Sequence, residues 1–459
     1  MADLVIRGGV VVSSRGSVEA DVAIEQGKVS VVGRDLDLPA ERTVDATGCW
    51  VLPGIIDVHT HPVYLDDLNG LSVTAAHGGV TTVIHYAYAK PGEGLMDTLH
   101  RFREDGESRS ILDFALHGGL FDPAHQSHEI PEGMAAGVTS YKMFMTYAKL
   151  GWMTDDYQLM RTLDILGQVG GMGIVHAENG LATDYLEDKA NDAGLDPRTA
   201  FVSTRPADLE AEAIHRAIAM ARVAGCPLYI AHMTARLGIE ETSRARCAGQ
   251  RVYAETCPQY LTLTEAALDT LGPLVKIGPP LRSPSDREAL WDSLAAGALD
   301  TVASDHAPKA KTKEDDFFAA PFGSPQVETM LPLLHHGGVH SGRMGRERLV
   351  QVMCENPARI FGLYPQKGVL QPGSDADVVV FDPRARLEVS AETQHSHAAY
   401  TAYEGMSLHG APVLSIQRGE ILVEAGEVHA RPGRGRFLKT QSGGAELSEL
   451  RPSHPTELR

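Results

Sequence analysis

No apolar run in this sequence approaches the ~20 residues that a membrane-spanning helix needs, so no membrane partner is expected. Cysteine is scarce. Cys49, Cys226, Cys247, Cys257 and Cys354 form no CxxC pair and no dense framework. They read as reduced thiols of a cytoplasmic protein, and any metal must rest on other ligands. Positive charge is short: 41 Lys and Arg stand against 60 Asp and Glu, a net charge of −19. That balance excludes a broad basic surface for nucleic acid or anionic lipid. The N-terminus, Met1-Ala2-Asp3-Leu4-Val5-Ile6, runs straight into a strand pattern and does not read as a signal peptide. No internal repeat or low-complexity block stands out before the polar end of the chain.

What is present is organised around Pro53-Gly54-Ile55-Ile56-Asp57-Val58-His59-Thr60-His61-Pro62. Ile55, Ile56 and Val58 are β-branched and apolar, as in a strand covered on both faces. Pro53-Gly54 and Pro62 punctuate its ends. Strand side chains alternate, so His59 and His61 point the same way, an arrangement that suits a metal as well as an exposed pair. From there the pattern becomes strand then helix, repeated. Strands are expected at residues 81–85, 111–117, 138–144, 172–176, 227–232, 252–256 and 300–304, which with the opening strand makes eight. The clearest helix spans Ala207 to Ala224, with Leu209, Ala213, Ile214, Ala217, Ile218 and Ala221 on one face and Gly225 as its cap. Eight units over about 300 residues predict a (β/α)8 TIM barrel. An open doubly wound sheet is the alternative, and no Gly-rich dinucleotide fingerprint follows the first strand to support it.

The flanks read as β structure. Short strands near residues 4–6, 9–12, 21–24 and 29–32 resemble antiparallel hairpins, and residues 376–382, 413–416 and 419–423 look alike. Neither set can bury a core alone, so both chain ends are expected to build one small β-sandwich. The resulting division is 1–52 (sandwich, first part), 53–362 (barrel), 363–440 (sandwich, second part) and 441–459 (polar tail, loose or packed on a neighbour). Within 346–362 a helical pattern closes the barrel, with a turn at Asn356-Pro357.

A barrel of this kind carries its active site at the C-terminal ends of its strands. His59 and His61 end the first strand, Lys142 lies on the fourth, His176 ends the fifth and His232 the sixth. The eighth runs into Ser304-Asp305-His306. Four histidines, a lysine and an aspartate thus converge on one mouth, where His85 and His117 are also expected as supporting or substrate-side residues. An ammonium facing metal cations would be repelled, and a neutral amine cannot bridge two of them. A carbamate formed from Lys142 and carbon dioxide could bridge; an ordinary lysine at the barrel rim is the other reading.

These stretches resemble the D-hydantoinase and dihydropyrimidinase family of the amidohydrolase superfamily. The likeness rests on Pro53 to His61, on Ser140-Tyr141-Lys142-Met143-Phe144-Met145-Thr146-Tyr147, and on Val175-His176-Ala177-Glu178-Asn179. Tyr229-Ile230-Ala231-His232, Glu255 to Leu261, Gly278 to Arg282 and Ala303-Ser304-Asp305-His306-Ala307-Pro308 extend it over residues 1–430 or so. The resemblance implies two zinc ions per subunit, one held by His59, His61, Lys142 and Asp305, the other by Lys142, His176 and His232, with Lys142 carbamylated. It implies a bridging hydroxide that attacks a cyclic amide, Asp305 as proton carrier and Tyr147 as hydrogen-bond donor to the oxyanion. It also implies self-association as a homotetramer or homodimer, with a small cyclic amide or ureide as substrate. Gly278 and the position near Phe322 are expected to contact the cyclic amide, and the loops carrying Tyr64 and Trp152, with residues Lys309 to Gln326, to shape the pocket for the ring substituent. Gly278 stands where the family usually has Ser, and the family's Asn falls near Phe322, which leaves the substrate less fixed than the reaction. Allantoinase remains a rival, as does a non-catalytic scaffold. Dihydroorotase is disfavoured because Pro62-Val63-Tyr64 lacks an arginine after the histidine pair.

Overall fold

The computed structural model describes residues 1–441, so the polar tail expected over 441–459 lies, but for Gln441, outside the described residues. Eight parallel strands follow one another in chain order around a barrel: Ile55–Thr60, Val80–Ala89, Asp113–Leu120, Ser140–Phe144, Met172–His176, Leu228–Ile230, Val252–Thr256 and Thr301–Val302. The first and eighth strands meet beyond their ends, where Thr60 pairs with His306 and the His61 N–H donates to the His306 carbonyl at 3.0 Å. Deeper in the same seam, the Ser304 N–H donates to Asp57 Oδ1 at 3.0 Å. The (β/α)8 barrel read from the strand–helix alternation is therefore the observed fold.

The helix at Ala207–Ala224 has its expected bounds, and Gly225 ends it in the left-handed conformation at φ 64°. Glu210, not Leu209, takes the buried place in its first turn. Its carboxylate accepts from the Thr234 N–H at 2.9 Å and from Arg282 at 2.7 Å. The turn expected at Asn356-Pro357 is instead helical. A wide π turn at Gln351–Glu355 precedes the helix Asn356–Ile360, with Pro357 in its first turn, where a missing N–H costs least.

Both chain ends build one nine-stranded sheet with a shared core that includes Ile6, Val22, Ile24, Val51, Val378, Val380 and Ile416. The two short strands expected near residues 4–6 and 9–12 are a single strand, Ala2–Ser13, kinked by a bulge between Ile6 and Gly9. Gly8 makes the kink with φ 68°, a conformation that favours glycine. The sheet is mixed rather than wholly antiparallel. One edge of that strand pairs with Gly16–Glu25; the other takes Ala40–Asp45 and Trp50–Pro53, both parallel. Val378–Glu388 then joins Trp50–Pro53, so the two chain ends are hydrogen-bonded to each other.

Sheet and barrel are fastened at Lys367, whose 1% exposed side chain reaches Asp113 at 2.6 Å, Asp377 at 2.7 Å and Asp375 at 3.0 Å. After the sheet the chain returns to the barrel. The Phe114 N–H donates to the Arg436 carbonyl at 3.0 Å and the Leu438 N–H to the Phe114 carbonyl at 2.7 Å. Phe437 thus pairs with the start of the third strand, whose own pairing with the fourth begins only at Gly118. Among the described residues no helix is long and apolar enough to cross a membrane, and all five cysteines are free.

Candidate active site

Strand alternation brings His59 and His61 to the same side, with ring centroids 5.1 Å apart. The turn after the eighth strand delivers Asp305 between them, its Oδ1 2.9 Å from His61 Nε2 and 3.3 Å from His59 Nε2. Ligand atoms of these three residues lie within 4.8 Å of one another. Across the mouth, His176 and His232 face each other with centroids 4.4 Å apart, and His232 lies 5.3 Å from His59. Lys142 enters from the fourth strand. It is 1% exposed, and its Nζ has no hydrogen-bond partner. The six residues that the sequence placed at separate strand ends are thus brought to one rim.

Carboxylates behind the rim fix which nitrogens face it. Glu255 takes a hydrogen bond from His59 Nδ1 at 2.7 Å and from the His232 N–H at 2.9 Å. The Tyr229 hydroxyl donates to its other oxygen at 2.8 Å. His59 therefore turns an Nε2 lone pair to the mouth. Glu178 lies 2.7 Å from His176 Nε2, leaving Nδ1 for the mouth, and is itself held by Arg205 at 3.3 Å. Burial lowers the pKa of His59, His61, His176 and His232, so all four keep their lone pairs at neutral pH. Burial also lowers the Lys142 amine. Asp305 goes the other way: burial opposes its charge, but His59, His61 and Lys142 hold it at about 2. Neutral imidazoles, a carboxylate and an orphaned buried amine form a donor set suited to borderline divalent ions such as zinc rather than to hard calcium or magnesium.

Tyr147, His232 and Asp305 adopt positive φ values of 65°, 38° and 52°. Non-glycine residues hold that region at a cost, and such strain collects at functional sites. The rim opens on a cavity of about 330 Å³ lined by Tyr64, Tyr147, Trp152, Gly278 and Phe322, all anticipated as pocket residues, and also by Tyr88, Phe121, Phe144, Gln259 and Lys309. Tyr88 stacks on His61 at 5.7 Å and Trp152 on Phe121 at 4.7 Å. Tyr88 could have been found by counting two residues on from Tyr86 along one strand face.

His117 lies inside the barrel beneath the rim, joined to Ser140 Oγ at 2.6 Å and to the Val58 carbonyl at 3.0 Å. His85 is not at the mouth. Tyr86 and Tyr88 take the inward places on its strand, so His85 points outward between Phe102 and Phe114, each 5.8 Å away. Neither of its ring nitrogens has a partner, and burial drives its pKa down to about 3.

Comparison with known proteins follows this geometry. The amidohydrolase family model matches residues 186–422. A D-hydantoinase of Ralstonia pickettii is 37% identical over 453 residues, covering 95% of this chain and 98% of that relative. A D-phenylhydantoinase of Escherichia coli is 37% identical over 457 residues, covering 95% and 98%. The crystal structure of a dihydropyrimidinase from Brevibacillus agri superposes with a TM-score of 0.92 at 34% identity, covering 96% of this chain and 99% of the other.

Proposed function

We propose a function from one premise: this chain belongs to the amidohydrolase family, and within it to the D-hydantoinase and dihydropyrimidinase group. On that premise it is a cyclic amidohydrolase that opens hydantoins or dihydropyrimidines to N-carbamoyl or ureido acids. The observation that carries the reading is the meeting of His59, His61, Lys142, His176, His232 and Asp305 around one cavity mouth. His59, His61 and Asp305 would hold one zinc ion, His176 and His232 a second, and a carbamate on Lys142 both. Bound there, the two ions would supply a hydroxide at neutral pH and polarise the ring carbonyl. The orphaned Lys142 Nζ supports the carbamate, because burial favours the neutral amine that reacts with carbon dioxide.

The chain's own groups do the rest. Asp305, ionised at the centre of the rim, takes a proton onto a carboxylate oxygen and delivers it to the ring nitrogen as the C–N bond breaks. Tyr147 donates its hydroxyl to the carbonyl oxygen as negative charge develops there. Glu255 and Glu178 hold His59 and His176 in the required tautomers. Tyr64, Trp152, Gly278 and Phe322 bound the space for the ring substituent. We place the protein in the cytoplasm as a homotetramer or homodimer, which light scattering would test.

A kinetic panel of hydantoin, dihydrouracil, allantoin and dihydroorotate tests the reaction. Turnover of hydantoin or dihydrouracil is expected, and turnover of allantoin alone would replace it with an allantoinase reading. Elemental analysis of purified protein should give two zinc per subunit, and a scaffold homologue would give none. Lys142→Ala should lose both metals and all activity, with partial rescue by short carboxylic acids. An alanine variant that kept metal and rate would remove Lys142 from the bridge.

A further inference from the structure

Lys309 and Lys311 stand on the loop after the eighth strand, Lys276 faces them from the segment before the helix Pro284–Ala296, and two of the three are fully engaged. Lys276 donates to the carbonyls of Phe317, Phe318 and Ala320, each at 2.8 Å. Lys311 donates to those of Lys276 at 3.2 Å and Pro321 at 3.3 Å. These bonds pin the loop. Arg205, beside the same wall, is held by Glu178 and Glu187. Lys309 differs. Its Nζ lies 4.0 Å from the centre of the Tyr64 ring and, among the described residues, makes no hydrogen bond and no close ion pair, with the Asp305 carboxylate attracting it only from beyond contact distance.

Its place matters as much as its freedom. Tyr64 is 38% exposed and its ring lies 6.4 Å from that of His61. Lys309, which lines the same cavity, therefore rests on the tyrosine that neighbours the metal-side histidine His61. The segment Pro62-Val63-Tyr64 carries no cation of its own, and a loop far along the chain supplies one over the same tyrosine. The aromatic wall residues Phe121, Phe144, Trp152 and Phe322 carry no charge, and Lys276, over Phe322, is spent on backbone carbonyls. A half-buried ammonium resting on an aromatic face has given up part of its hydration, so an arriving anion gains most there. A single ammonium matches a monoanionic carboxylate better than a phosphate, which calls for more donors.

Resting on the reading of the site as a cyclic amidohydrolase, we propose that Lys309 and Tyr64 form an anion subsite at the cavity mouth. It selects rings whose substituent ends in a carboxylate, such as a hydantoin derived from an acidic amino acid. The test compares kcat/KM on hydantoin bearing a 2-carboxyethyl group at ring position 5 with the same ring bearing 2-carbamoylethyl, its neutral isostere. Both are measured on one preparation of zinc-loaded enzyme, so the fraction of active protein cancels from the ratio. The wild-type ratio is expected to favour the carboxylate about two- to fivefold at low salt, the scale of a partly exposed ion pair. Lys309→Met should bring the ratio near one, Lys309→Arg should keep it, and added salt should erode it in wild type and in Lys309→Arg but not in Lys309→Met. A wild-type ratio of one, or a ratio unchanged in Lys309→Met, overturns the subsite. If hydantoin is opened but neither substituted ring is, the subsite falls and the hydrolase reading stands. If hydantoin itself is not opened, the hydrolase reading falls and takes the subsite with it.

Discussion

Tyr147 is held in a left-handed backbone conformation directly after the lysine strand, and its hydroxyl shares a narrow space with residue 278. A methyl group built on Gly278 would sit 2.6 Å from that hydroxyl and 3.3 Å from Phe322. Glycine at 278 is thus what lets the phenol reach its place in this chain, although the family resemblance leads one to look for serine there. Tyr147→Phe should lower kcat by ~10²–10³ if the hydroxyl stabilises an oxyanion. Gly278→Ser should lower it by ~10–100-fold through displacement of the ring. The two losses should not add, because in Tyr147→Phe the crowded atom is already gone. Additive losses in the double variant would separate the two residues.

At the scale of elements, loops from distant parts of the chain are tied down behind the rim. The Gln326 and Val327 N–H groups donate to His306 Nδ1 at 3.1 and 3.3 Å, so Nε2 carries the proton and donates to Asp66 at 2.8 Å. Asp66 also takes the Ser396 hydroxyl at 2.6 Å and the His397 N–H at 2.8 Å. Burial opposes its charge, yet these donors lower its pKa from 3.8 to about 2. A depressed carboxylate stabilises the fold above its unfolded value and loses that contribution as pH falls through the folded one. Asp66→Asn should therefore cost up to ~2 kcal/mol near pH 6. Denaturation curves of the two proteins should converge between pH 4 and pH 2. A gap independent of pH would mean that packing, not charge, holds the loop.

The whole molecule depends on a buried ionic hub. Lys367→Met would leave Asp113, Asp375 and Asp377 facing one another with Arg418 as the remaining cation at Asp113. Breaking such a buried group by removing one partner costs ~3–5 kcal/mol. Urea unfolding should show that loss, and a change below ~1 kcal/mol would mean the sheet docks by apolar contact alone. Much of this architecture was legible beforehand because its signals are local. Met172–His176 and Val252–Thr256 were read to the residue, since short apolar runs between breakers leave little choice. The helix before Gly225 was legible from its period. His85 was misread because every residue of Val80–Ala89 is buried, which erases the alternation that would show which side faces the mouth. Glu255 and Lys309 act on partners far away in sequence, and no local pattern marks such pairs, whereas Glu178 stands only two residues from His176. The two parallel strands at Ala40–Asp45 and Trp50–Pro53 were missed because the first is largely polar and the second very short.

The return of Arg436, Phe437 and Leu438 to the third barrel strand has a bearing on biosynthesis. The ribosome makes every group of the rim long before it makes this closing stitch, so a nascent chain carries an incomplete seam at Phe114 until residues 436–438 have emerged. A stop codon just ahead of Arg436 would spare all six rim residues and still leave that seam without its partner.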